Sequence, residues 1–155
     1  MKLKTYGLTG QALDWAVAKV LGVDVLLVTG IDVQSDRSEK CTSLYRLEEP
    51  EREPGAGSEG IPYEPSLDWS QCGPLIAKYS IMLAQSGDKW YAFSKGNEFN
   101  PYGGNHYIDC LFNDADGWGE TPLIAACHSI VASCIGEDID IPDELCSPLD
   151  DLIRS

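Results

Sequence analysis

Cys72 is the residue of this chain with the clearest chemical potential. A thiol nucleophile needs a base within hydrogen-bond reach and something that lowers its pKa. The only imidazoles are His106 and His128, and Gly73-Pro74 just after Cys72 could open a helix whose N-terminus favours a thiolate. Cys127 and Cys134 stand seven apart, on one face of a helix, but no two of the six cysteines form a C-x-x-C pair. A structural zinc site therefore lacks its usual spacing, and packing explains these cysteines more simply than redox or metal chemistry. A second cluster is Asn113 to Glu120, which carries Asp114, Asp116 and Gly117. Aligned on its glycine as a calcium loop, it puts Phe112 at position one and Leu123 at position twelve. Both anchoring carboxylates are missing, and a turn leading into the next helix fits these residues better.

A third cluster is a binding candidate: Tyr63, Ser66, Asp68, Trp69 and Gln71, with Trp118 further along. Trp69 offers a stacking face, and Asp68 and Gln71 offer directed polar contacts near Gly73. The competing packing account makes Trp69 a core aromatic, with Asp68 and Ser66 tying down the local turn. No catalytic residue, cofactor or metal ligand follows from these patterns.

Two long helices must position such residues. Thr9 caps the first, Leu13, Ala16, Val17, Val20 and Leu21 repeat along one stripe, and Gly22 stops it. Trp15 belongs at the edge of the core. Val23 to Val28 is β-branched and reads as a strand. From Gln34 to Gly60 the chain turns polar, rich in charge, proline and glycine. That is loop chemistry, with Cys41 to Leu47 as one strand inside it and Glu48 to Gly60 mobile in solution.

Ser66 is expected to cap a short turn, and Pro74 to open a short helix toward Tyr79. Ser86-Gly87-Asp88 between two apolar runs predicts a hairpin of Ile81 to Ala84 with Lys89 to Phe93. Asn97 to Asn105 reads as a loop and Tyr107 to Phe112 as a strand. Thr121 and Pro122 open the second long helix, LIAACHSIVASCI, which is apolar nearly all round and belongs in the middle of the fold. Gly136 ends it. Residues 137–155 form an acidic tail with Ile139, Ile141, Leu145 and Leu149 as anchors. The whole predicts an α+β fold: two main helices on a small, mainly antiparallel sheet, in a single domain over 1–155.

Three blocks, LTGQALDWAVAKVLG, YEPSLDWSQCGPLI and GETPLIAACHSIVASCIGEDIDIPDEL, span about half the chain. In that order they resemble the NinX-like family of tailed phages and prophages. The resemblance implies an accessory role in the lambdoid phage setting and brings no reaction with it. The family's central block usually has a second glycine where Cys72 stands, which weakens the case for a nucleophile there. The 34–60 segment and Asn97 to Asp116 fall outside the three blocks and resemble insertions.

Composition narrows the function further. The 155 residues include 25 acids against 11 bases, a formal net charge of −14, and 43% hydrophobic residues support a real core. Direct nucleic-acid or anionic-membrane binding is disfavoured, since those partners are negative too. Lys2 and Lys4 could begin a leader, but Asp14, Lys19 and Asp24 interrupt the following apolar runs, so the chain reads as cytoplasmic. Residues 98–155 hold 12 acids and one base. Such a concentration could imitate nucleic-acid phosphates in a host protein's basic groove, or simply keep the surface solvated. The leading expectation is a non-enzymatic accessory protein acting on a host or phage protein partner. The alternative is a small thiol-dependent or hydrolase-like enzyme centred on Cys72. No preference among oligomeric states follows from the residues.

Overall fold

The computed structural model describes residues 1–31, 40–46, 61–94 and 115–146. It shows an α+β fold. In chain order the elements are β1 (Lys2–Lys4), α1 (Gly10–Leu21), β2 (Val25–Ile31), β3 (Lys40–Arg46) and β4 (Ile61–Pro62). Then come α2 (Trp69–Lys78), β5 (Met82–Ser86), β6 (Lys89–Phe93), β7 (Gly117–Gly119), α3 (Pro122–Ile135) and β8 (Asp138–Asp140). The strands form three small antiparallel sheets, ordered β1-β8, β2-β3-β4 and β5-β6-β7.

The first helix ends as its glycine requires. Gly22 takes φ +68°, where a side chain would be strained, and the amides of Gly22 and Val23 return to the last helical carbonyls. Val23 is thus absorbed into the helix end, so β2 starts at Val25 rather than Val23. The strand expected within the polar stretch is present. It is the middle strand of its sheet, pairing all seven residues with β2 and burying Leu44. The expectations of a mobile segment over Glu48 to Gly60, a loop over Asn97 to Asn105, a strand over Tyr107 to Phe112 and an anchor at Leu149 fall outside the described residues.

α3 is the centre of the molecule. Leu123, Ala125, Ala126, Cys127, His128, Ser129, Ile130 and Val131 are all buried, against α1, α2, the segment before α1 and the β5-β6-β7 sheet. Thr121 Oγ1 accepts from the Ile124 amide at 3.2 Å, and Pro122 occupies the first turn as expected. The hairpin turns at Gly87, φ +62°, and Asp88.

The turn expected over Asn113 to Glu120 is corrected for its described part: Gly117–Gly119 is a strand beside β6. Alternation points Gly117 and Gly119 at α3, and a Cβ on Gly117 would overlap the Ala125 carbonyl and the Ser129 amide. Only the absence of side chains lets this strand lie against the helix.

The acidic C-terminal segment is structural through Cys146. β8 pairs with β1 and buries Ile139, while Ile141 is enclosed just beyond it. The N-terminal amine donates to the Ile141 carbonyl at 2.7 Å and pairs with Asp143 at 3.0 Å. Among the described residues no helix is long and apolar enough to cross a membrane.

Candidate functional site

The turn that leads into α2 is fastened from two sides. From α1 comes Asp14, a carboxylate enclosed at the helix surface facing the core. Its Oδ1 accepts the buried Ser66 amide at 2.8 Å. Burial pushes the Asp14 carboxyl up to about 6; the Ser66 amide pulls the other way, and the Glu64 charge adds to the rise. The Ser66 hydroxyl is itself buried and has no hydrogen-bond partner among the described residues.

From within the turn comes Asp68. Its Oδ1 accepts from the Ser70 amide at 2.8 Å and the Ser70 hydroxyl at 2.7 Å, and its Oδ2 accepts from Gln71 Nε2 at 3.1 Å. These bonds hold its carboxyl below the usual carboxylate range. Asp68 is therefore the helix cap, whereas the Ser66 hydroxyl, expected to cap the turn, bonds to no described group. The helix starts five residues earlier than Pro74 suggested, and Pro74 lies inside it.

Gln71 completes the brace. Its Nε2 donates to the Pro62 carbonyl at 2.9 Å and its Oε1 accepts from the Glu64 amide at 3.0 Å. The side-chain amide thus lies along residues 62–64 as a neighbouring strand would. Tyr63 is buried between Ala18 and Leu44, and burial drives its hydroxyl far above the ordinary tyrosine range.

The five residues singled out between 63 and 71 do converge, yet their polar groups hold the turn together. What the turn presents outward is apolar: Leu67 is 69% exposed and Trp69 57%. The account of Trp69 as a core aromatic is corrected. With Asp68 capping from position 68 and Cys72 facing inward, the first helical residue is left outside. Trp118 stands elsewhere, on the outer face of the β5-β6-β7 sheet, with the Lys89 ammonium 5.5 Å from its ring centre.

Cys72 is fully enclosed and its thiol meets that of Cys127, equally enclosed on α3. The hydrogen bond with Cys72, then burial, push the Cys127 thiol far above its ordinary range. His128 is held below the usual imidazole range by burial, and its contacts are with the backbone of Thr5 and Leu8 rather than with Cys72. His106 lies outside the described residues. Asp116 Oδ2 accepts both the amide and the hydroxyl of Ser94 at 2.6 Å, fastening the end of β6. Among the described residues no cluster of His, Cys, Asp and Glu could hold a metal ion.

Asp14 was the residue sequence reading passed over. Its signal is the single charge in ALDWAVA, where apolar neighbours occupy every side of the helix turn. The exposure of Leu67 carried no such signal.

The fold and the site define a small α+β protein with a braced, aromatic-tipped turn. Residues 4–134 match the family model described as bacteriophage P22, NinX, and the chain belongs to that phage family, as an accessory protein. The match runs through β3 and stops just short of β8. No curated protein matches the chain.

Proposed function

We propose that this protein works without a reaction of its own, by seating Leu67 and Trp69 in an apolar pocket of a protein partner. The observation that carries this reading is the exposure of two large apolar side chains on a turn whose backbone is already fixed. Binding hot spots are rich in tryptophan, and a preformed turn loses little conformational entropy on association. A thiol enzyme at Cys72 finds less support, since that sulfur is enclosed and faces another thiol rather than a base. Imitation of nucleic acid by the acidic segment finds less support as well. Asp138 pairs with Lys4 at 3.0 Å and Asp143 with the N-terminal amine, so part of that charge already faces cations of this chain.

The test is capture from nuclease-treated host lysate with the full chain as bait, washed at low and at high salt. The expected result is a partner that survives high salt and is lost with Trp69→Ala or Leu67→Ser, while Trp118→Ala retains it. Loss in high salt, with both turn variants still binding, would return the function to the acidic surface.

A further inference from the structure

An open groove of about 380 Å³ lies between the end of α1, β4 and α2. Leu21, Val23, Ile61 and Leu75 give it an apolar wall, and Arg46 and Lys78 supply charge. Among the described residues no acidic side chain lines it, although the chain as a whole carries a net charge of −14. Arg46 is exposed and makes no ion pair with any described residue, and the Lys78 ammonium lies 5.6 Å from the centre of the Tyr79 ring rather than on a carboxylate. Two cations therefore face an apolar concavity with no described counter-charge.

Strand addition is closed off at the groove's edge. Pro62 has no N–H, its carbonyl is taken by Gln71 Nε2, and the Glu64 amide is taken by Gln71 Oε1. A ligand here has to be read by its side chains. An apolar body fits the wall. Carboxylates fit the cations, with Arg46 able to grip one through two parallel hydrogen bonds and Lys78 acting as a point charge.

We infer that the groove binds an acidic peptide segment of a partner protein, one large apolar side chain seated between α1 and α2 and its flanking carboxylates on Arg46 and Lys78. This goes beyond the Leu67–Trp69 reading and does not depend on it, because Ser70, Gln71 and Pro74 of α2 turn to the groove while Trp69 faces solvent. The Asp68 carboxylate, bonded to the groove-lining Ser70 and Gln71, is partly satisfied there. At physiological ionic strength repulsion from more distant acids decays over about 8 Å, whereas the two cations act at contact.

Fluorescence anisotropy with the full chain and three labelled pentapeptides tests it: Gly-Asp-Leu-Asp-Gly, Gly-Lys-Leu-Lys-Gly and Gly-Asp-Ser-Asp-Gly. Saturable binding is expected for the first alone. Arg46→Ala and Lys78→Ala should each weaken it about fivefold, the scale of one well-placed contact to a charge, with unchanged thermal unfolding because both side chains are exposed. Trp69→Ala should leave the affinity as it is. No saturation with the first peptide, equal binding of the lysine peptide, or full affinity in the Arg46→Ala, Lys78→Ala double variant would each overturn the proposal. So would a concentration-dependent dimer in sedimentation that Arg46→Ala abolishes, since the groove would then belong to a second copy of the chain.

Discussion

Asp14 ionises inside the fold with one amide to stabilise its charge, and its pKa of about 6 lies above the ordinary carboxylate value. Between those two values the folded chain holds a proton that the unfolded chain has released. Asp14 therefore makes stability fall as pH rises from about 4 to about 6, and the loss persists above that range. A shift of this size corresponds to roughly 2–3 kcal/mol. Asparagine would keep the acceptor for the Ser66 amide, offer a donor to the unpartnered Ser66 hydroxyl and remove the charge. Asp14→Asn is expected to be more stable than the parent by about 1–3 kcal/mol near neutral pH, with the difference vanishing toward pH ~4. Urea unfolding of both proteins across that range measures it. A difference that stayed constant with pH would show that Asp14 is not the titrating group.

At the scale of elements, the contact of β7 with α3 is the most demanding. A methyl group on Gly117 meets helix backbone, which cannot step aside; one on Gly119 meets Ile124 Cγ2 first, which rotation about χ1 can move, with Ile124 Cβ at 2.9 Å and the Ala125 amide nitrogen at 3.3 Å behind it. Gly117→Ala should cost about 2–4 kcal/mol and Gly119→Ala distinctly less, as read from urea midpoints. Equal costs would mean that the strand lifts off the helix as a unit. α1, the β5–β6 hairpin and α3 were legible in the sequence because each carries its own signals: stripe, cap and stop, or two apolar runs about a glycine. β7 was not. Gly-Trp-Gly has the composition of a turn, and becomes a strand only because the helix beside it excludes every other side chain. The start of α2 was misplaced because Pro74 favours a first turn and so marked a late start, whereas the Asp68 side chain caps the helix through the Ser70 amide and Pro74 is accommodated inside it.

At the scale of the molecule, the fold is closed by joining the two ends of the described chain. Leu3, Ile139 and Ile141 are buried where β8 meets β1, and Ile141 also receives the N-terminal amine on its carbonyl. Ile141→Ala is expected to lower stability by about 2–4 kcal/mol, as for other large-to-small changes in a core. Lys4→Ala should hardly move the unfolding midpoint, because its partners Asp138 and Glu137 are largely in water. A large effect of Lys4→Ala, with a small one of Ile141→Ala, would mean that charge rather than apolar burial holds the ends together. Leu67→Ser and Trp69→Ala should likewise leave stability unchanged, which separates loss of the partner from loss of the fold.

By itself the sequence determined the α+β class, the bounds of α1 and α3, the hairpin and the resemblance to a phage family, because each is written in neighbouring residues through periodicity, capping and turn chemistry. The tertiary structure decided which polar groups are free to meet a partner. Asp68, Gln71 and Ser66 stand close together in the chain and look like an open site, but Asp14 on α1 takes the Ser66 amide, Pro62 and Glu64 take the Gln71 side chain, and Asp68 is spent on Ser70 and Gln71. A buried amide or carboxylate must find a partner, and only the folded chain shows which groups lie within reach.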